Sequence, residues 1–191
     1  MKTNTNINTV WFGTLAAVLF VLASGVPADA QSPKKVTRPP QSAVVALVNG
    51  VALTMNDVLP ATVGPAATDP TIDLATLQAL RQRAIDRQLI LQTATNLNVY
   101  LTAAQQAALT GLRAAISSSA PYAGQAGPGT QATLALQTNF QVKDATAQYL
   151  LMTLLPVQTP APGAPPVDRA AQVQQYLQQL RASAITVLYQ F

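Results

Sequence analysis

The chain has 191 residues, long enough for one domain with a real core, and its eleven Lys and Arg against seven acidic residues leave a formal charge of +4. It contains no histidine and no cysteine, and every acidic residue is an aspartate. Without those side chains there is no Ser-His-Asp triad, imidazole base, thiol nucleophile or ordinary zinc or iron site, so the chain is expected not to be an enzyme and to need no cofactor.

The first thirty residues read as a secretory signal peptide. Lys2 precedes an apolar run over residues 10–23, and small residues follow up to Ala28-Asp29-Ala30, an A-x-A site that would release a chain starting at Gln31. The alternative is a retained membrane helix. The run is shorter than the roughly 20 residues a span requires, and no stop-transfer charge cluster follows it. Cleavage after Ala30 and a periplasmic or secreted location, with no stable membrane anchor, are therefore the expectation. Cysteine is absent, so no disulfide assists and stability must come from packing.

Residues 31–42, with Pro33, Arg38-Pro39-Pro40 and two lysines, read as a disordered lead-in. Two β-prone runs then flank Asn49-Gly50, the preferred pair for a two-residue type I′ turn, and predict a hairpin over 44–48 and 51–53. Thr54 followed by Asp57 forms a capping box for a short helix that Pro60 limits. Residues 60–70, with three prolines, are a loop. Asp73 caps a long helix to about Asn96, whose apolar arc of Leu74, Leu77, Leu80, Ala84, Ile85, Leu89 and Leu91 marks it as the central core helix.

A short extended link over 99–101 leads to a second capping box, Thr102 with Gln105, and a helix to about Ser117. Residues 117–129 are a Ser-, Gly- and Pro-rich loop. Gly124, Gly127 and Gly129 lie in it without a preceding strand and read as loop punctuation, so no phosphate-binding loop is implied. A helix over about 130–138 is expected next, then a separate one from Lys143 to Leu155 capped around Gln141 to Asp144. Residues 156–167 are a Pro-rich linker. Asp168 opens the last helix, with Val173, Leu177 and Leu180 on one face and Tyr176 beside them. Residues 185–189 form a β-prone segment with no local partner. It must pair with the hairpin, which brings the two ends of the mature chain into one small sheet.

Four of the aspartates, Asp57, Asp73, Asp144 and Asp168, fall at predicted helix starts, where capping and the helix dipole account for them. The positive charge is scattered apart from Lys34, Lys35 and Arg38, which predicts no nucleic-acid partner. What remains for function is apolar surface. On helix 143–155, Ala147, Leu150, Leu151 and Leu154 form one stripe, extended by Leu155, with Tyr149 and Met152 off its centre. Such a helix is either sandwiched in the core or presents part of itself to a partner. The peptide-binding candidates are Phe140, Tyr149, Met152 and Leu155, with Tyr122 a weaker one; Met and Tyr suit adaptable contact with varied apolar segments.

The order of these elements resembles the SurA/PrsA/trigger-factor-like envelope chaperones. Residues 45–54, with Asn49-Gly50 at the turn, resemble the hairpin that opens the family's mature domain. Residues 80–94 look like its long helix, residues 97–102 like the following link, and residues 176–187 like the closing helix and strand. The resemblance spans most of 43–155 and 168–189. It implies a mainly α, SurA N-terminal-like domain with a small sheet made of the hairpin plus the C-terminal strand. It also implies ATP-independent binding of unfolded or outer-membrane polypeptides. Many relatives insert a parvulin prolyl-isomerase domain where this chain has only residues 156–167, too short to fold, and parvulin sites commonly use histidine. Isomerase activity is therefore not carried over. The competing expectation is a non-catalytic adaptor for one dedicated partner in a secretion or envelope-assembly system; an exposed apolar cleft along helix 143–155 would favour the chaperone.

Overall fold

A computed structural model describes residues 34–59, 71–118, 128–155 and 168–190. The signal peptide, its cleavage site, the loop over 60–70, Tyr122 and the Pro-rich linker lie outside the described residues. The fold is mainly helical with two small antiparallel sheets. In chain order the elements are β1 (Lys35–Thr37), β2 (Val44–Val48), β3 (Val51–Thr54), α1 (Met55–Val58), β4 (Thr71–Asp73), α2 (Leu74–Asn96), α3 (Ala103–Ser117), α4 (Pro128–Leu154), α5 (Arg169–Ser183) and β5 (Thr186–Leu188). No described helix is long and apolar enough to cross a membrane.

The hairpin forms as the Asn-Gly pair predicts. Asn49 and Gly50 have φ of 49° and 82°, the positive values a type I′ turn requires at both central positions. Asn49 also reaches out of the turn. Its Oδ1 accepts from the Ile185 backbone N–H at 2.9 Å, and its Nδ2 donates to Gln92 Oε1 at 2.8 Å. Gln92 Nε2 in turn donates to the Val48 carbonyl at 3.1 Å. One turn residue thus ties β2 to both α2 and the C-terminal strand. Asn49→Ala should destabilise the fold by about 2 kcal/mol, combining a left-handed conformation unfavourable to alanine with two lost hydrogen bonds. Gly50→Ala meets no atom within 4 Å, so its cost should be about 1 kcal/mol from the backbone conformation alone. Urea unfolding midpoints of the two variants check both values.

β5 pairs antiparallel with β2, Ala46 opposite Leu188 and Val48 opposite Thr186, so the sheet order is β3-β2-β5. The N-terminal hairpin and the C-terminal strand therefore meet in one sheet, as the unpaired C-terminal segment requires. A bulge between Val44 and Ala46 breaks the strict alternation of β2 and allows Val45 and Ala46, adjacent in sequence, both to be buried.

Two local expectations need correction. The lead-in read as disordered contains β1, which pairs with β4 through Lys35 opposite Asp73 and Thr37 opposite Thr71. Val36 and Ile72, the central pair, pack against the core. Three residues flanked by prolines have no strand signal of their own, and only a distant partner makes them one. The pair of helices expected over 130–155 is instead the single helix α4. Residues 139–143 contain neither proline nor glycine, and Asp144 is an interior residue whose carboxylate is used in tertiary ion pairs instead of a cap.

The other caps form where expected. Asp73 accepts from the Thr76 N–H at 3.1 Å, Gln105 Oε1 from the Thr102 N–H at 2.8 Å, and Asp168 from the N–H groups of Ala170 and Ala171. Helix α2 buries residues around most of its circumference because different halves meet different layers. Leu77, Ala84, Ile85 and Leu89 join the hairpin and α1, whereas Ile90 and Ala94 join α4 and α5. Helix α3 packs along α4 but buries none of its own residues.

Candidate functional site

Helix α4 is flanked by two open clefts. The first, of about 210 Å³, lies between α1 and α4 with α2 as its floor, and is lined by Val58, Leu59, Leu80, Ala84 and Phe140 among others. The second, of about 300 Å³, lies where the end of α2, the 97–102 link and α3 meet α4, and includes Leu91, Val99, Tyr100, Leu101 and Leu150. Both are predominantly apolar; the first is smaller than the roughly 300–1,000 Å³ typical of small-molecule sites and the second only reaches its lower limit. Their size suits individual side chains.

Charged side chains line the first cleft, through Asp57, Arg83 and Arg87, and not the second. Arg87, buried on the core side of α2, pairs with Asp144 Oδ1 at 3.5 Å, and Arg83 pairs with the other oxygen of the same carboxylate. Arg87 also donates to the Asp57 carbonyl, and its guanidinium lies 4.6 Å from the centroid of the Phe140 ring. Lys143 Nζ donates to Asp57 Oδ1 at 3.3 Å. Burial of Arg87 lowers the pKa of its guanidinium, opposed by the nearby Asp144 and Asp57 charges.

Asp57 accepts from both the backbone N–H and the hydroxyl of Thr54, at 3.0 and 2.9 Å. Burial pushes its pKa up, but those hydrogen bonds and Lys143 together outweigh it and hold the carboxyl below its ordinary 3.8. A group that releases its proton more readily when folded adds stability above its unfolded value and loses that contribution as pH falls through the lower folded value. Asp57→Asn should therefore lose stability less steeply than the unaltered chain below about pH 4, read as denaturation midpoints between pH 5 and pH 2.5.

Each described aspartate is used structurally. Asp57, Asp73 and Asp168 act at helix starts, Asp144 binds the two arginines, and Asp86 pairs with Arg181 at 2.6 Å. Among the described residues no three His, Cys, Asp or Glu side chains come together as a metal site.

The four peptide-binding candidates do not form one patch. Phe140 lines the first cleft against Arg87. Leu155 is only 5% exposed and packs with Leu151, Val173 and Leu177, so it is a core residue. It lies fifteen positions beyond Phe140, roughly 22 Å along the helix axis. Tyr149 and Met152 project from other sides of α4, half-buried and 37% exposed respectively. No family model, curated protein or solved structure matches this chain.

The exposed apolar residues that sequence reading missed lie elsewhere. Leu97 and Tyr100, in the link beside the second cleft, are 61% and 73% exposed, and Ile185, Val187, Leu188 and Tyr189 are exposed along β5. The signal for the second group was partial: residues 185–189 read as a strand joining the hairpin, but only the fold shows that no other described strand pairs with its outer side.

Proposed function

We propose that the protein is an ATP-independent periplasmic chaperone that holds unfolded or outer-membrane client polypeptides against exposed apolar surface. The observation that carries this reading is the large apolar side chain left open beside the second cleft. Tyr100 stands in solvent at the rim of an open apolar depression that reaches Leu150 on α4, and Leu97 is exposed in the same link. A depression of this kind accepts side chains of a passing chain without enclosing any one ligand, and grouped exposed apolar residues mark interaction sites more often than scattered ones do. Charged residues make up only 9% of the chain, so an apolar client meets few groups that would have to be desolvated. The element order expected from the resemblance, with the closing strand beside the opening hairpin, is also the order of this fold and supports the same reading.

The test is the aggregation of a chemically denatured outer-membrane protein, followed by light scattering on dilution with the purified protein. Suppression at equimolar to several-fold excess is expected. Leu97→Ser with Tyr100→Ser should weaken it while leaving the unfolding midpoint nearly unchanged, because both side chains are already exposed. Absence of suppression at several-fold excess would remove the general chaperone and leave an adaptor for one dedicated partner.

A further inference from the structure

The geometry points to the outer edge of β5 as a strand-addition site for one extended, uncharged polypeptide segment, paired through its backbone. This rests on the client-binding reading above and states how such a client is gripped.

The ladder geometry shows which groups are open. Asn49 N–H donates to the Ile185 carbonyl at 2.8 Å, and Tyr189 N–H donates to the Val45 carbonyl at 3.3 Å. In an antiparallel pair, hydrogen-bonded and non-hydrogen-bonded residues alternate. Ile185, Val187 and Tyr189 therefore face β2, with the Ile185 N–H donating to Asn49 Oδ1 and the Tyr189 carbonyl accepting from Arg81 Nη1 at 2.8 Å. The N–H and C=O groups of Thr186 and Leu188 face away from it. β5 ends the β3-β2-β5 order, and no other described strand pairs with its outer side.

Exposed edges are usually guarded by a charge, a proline, a bulge or a covering element, because an open row of backbone groups is a template for another strand. Residues 185–189, Ile-Thr-Val-Leu-Tyr, contain no charge, proline or glycine. Ile185 is 76% exposed, Leu188 50%, and all three β5 residues lie in the exposed class. Leu188 and Thr186 share one face with Ala46 and Val48, while Ile185, Val187 and Tyr189 share the other. An added strand would find apolar neighbours on both of its faces, the arrangement in which backbone bonds supply affinity and alternate side chains supply selectivity.

The size of the edge decides the occupant. Three paired residues span roughly 10 Å, and the flanks to 185 and 190 extend this to roughly 20 Å. A stable pair of folded copies buries about 1,200–2,000 Å², far more than two such short strands offer each other. A single extended segment needs no more than this length. Residues 185–190 carry no charge, and the Arg81 guanidinium beside them already donates to the Tyr189 carbonyl. A neutral segment rich in β-branched or aromatic residues therefore suits the edge better than a charged one, which would lose hydration with no charge on the strand to pair with.

The probe is a short blocked peptide alternating valine and tyrosine with serine, lysine at each end for solubility, beside the same peptide N-methylated on alternate amides. Binding is read by fluorescence anisotropy and by amide exchange of the protein. The unmodified peptide should slow exchange at Thr186 and Leu188 about tenfold or more, and methylation should weaken binding at least about tenfold through the lost backbone bonds. Leu188→Pro removes an N–H that faces away from β2, a position where edge strands tolerate proline, and should weaken binding similarly without changing the circular dichroism. The methylated peptide tests the same point with the protein unaltered, should that variant not fold. Equal binding of both peptides, or protection around Tyr100 and Leu150 in place of β5, would overturn the edge assignment and leave client binding intact. Dimerisation that protects the same two amides without peptide would also overturn it. If neither peptide binds while aggregation is still suppressed, the edge reading alone fails; if suppression is lost too, both fail.

Discussion

Replacing Arg87 with alanine is expected to destabilise the protein by about 3–5 kcal/mol, the range seen when one partner of a buried ion pair is removed. The Arg87 side chain is only 6% exposed. Its loss would leave the Asp57 carbonyl without its guanidinium donor and Asp144 with only Arg83, which is 41% exposed. It would also remove the cation over the Phe140 ring. The cost arises mainly from the groups left behind, so removing them together should recover much of it. The double variant Arg87→Met, Asp144→Leu should be considerably more stable than Arg87→Ala, because an apolar pair of similar volume replaces a desolvated ionic one. Urea unfolding with an unchanged m-value provides the comparison. A loss below about 1 kcal/mol for Arg87→Ala would mean that water reaches the pair and screens it.

Leu77→Ala is expected to cost about 2–5 kcal/mol, as large-to-small changes at fully buried sites do. Leu77 is 0% exposed at the point where the first half of α2 meets the hairpin, in one cluster with Val45, Val48, Leu53 and Met55. A cavity there cannot collapse easily, because the sheet on one side and α1 on the other are tied to α2 by separate contacts. Leu136→Ala, at an exposed position of α4, should change stability by no more than about 0.5 kcal/mol. Thermal unfolding of the two variants side by side separates loss of packing from loss of leucine as such.

The elements most legible in the sequence are those whose signals act over three or four residues. Asn49-Gly50 specifies its turn because few residue pairs tolerate two positive φ values, and the structure has both. Thr54 with Asp57, Asp73 with Thr76, Thr102 with Gln105, and Asp168 with Ala170 all start helices through short-range hydrogen bonds. The pairing of β5 with β2 was legible in a different way, by elimination, since an apolar strand at the end of the chain had only the hairpin to join.

The misread elements depend on distant partners. β1 exists because residues 71–73 lie alongside it, and no pattern within Lys35-Val36-Thr37 could show that. Asp144 looked like a cap because aspartate favours helix starts, yet Arg83 and Arg87, some sixty positions earlier, hold it mid-helix. Of the site candidates, Phe140 does line a cleft, but Leu155 is core and Met152 lies on another side of the helix. Helical periodicity locates a stripe of apolar residues without showing which part of it the neighbouring helices cover.

By itself, then, the sequence determined the positions of the turns and caps, the mainly helical class and the chemistry the chain has to work with. These follow from local backbone preference and from which side chains are present. Only the tertiary structure decided that β1 is a strand, that α4 is continuous, that Arg87 and Asp144 meet, and that β5 ends the sheet with its outer backbone groups open. Each of these depends on free energy exchanged between segments far apart in the chain, where burial and pairing outweigh local propensity. The candidate binding surfaces belong to this second group, because an apolar residue becomes a place to bind only when the fold leaves it uncovered.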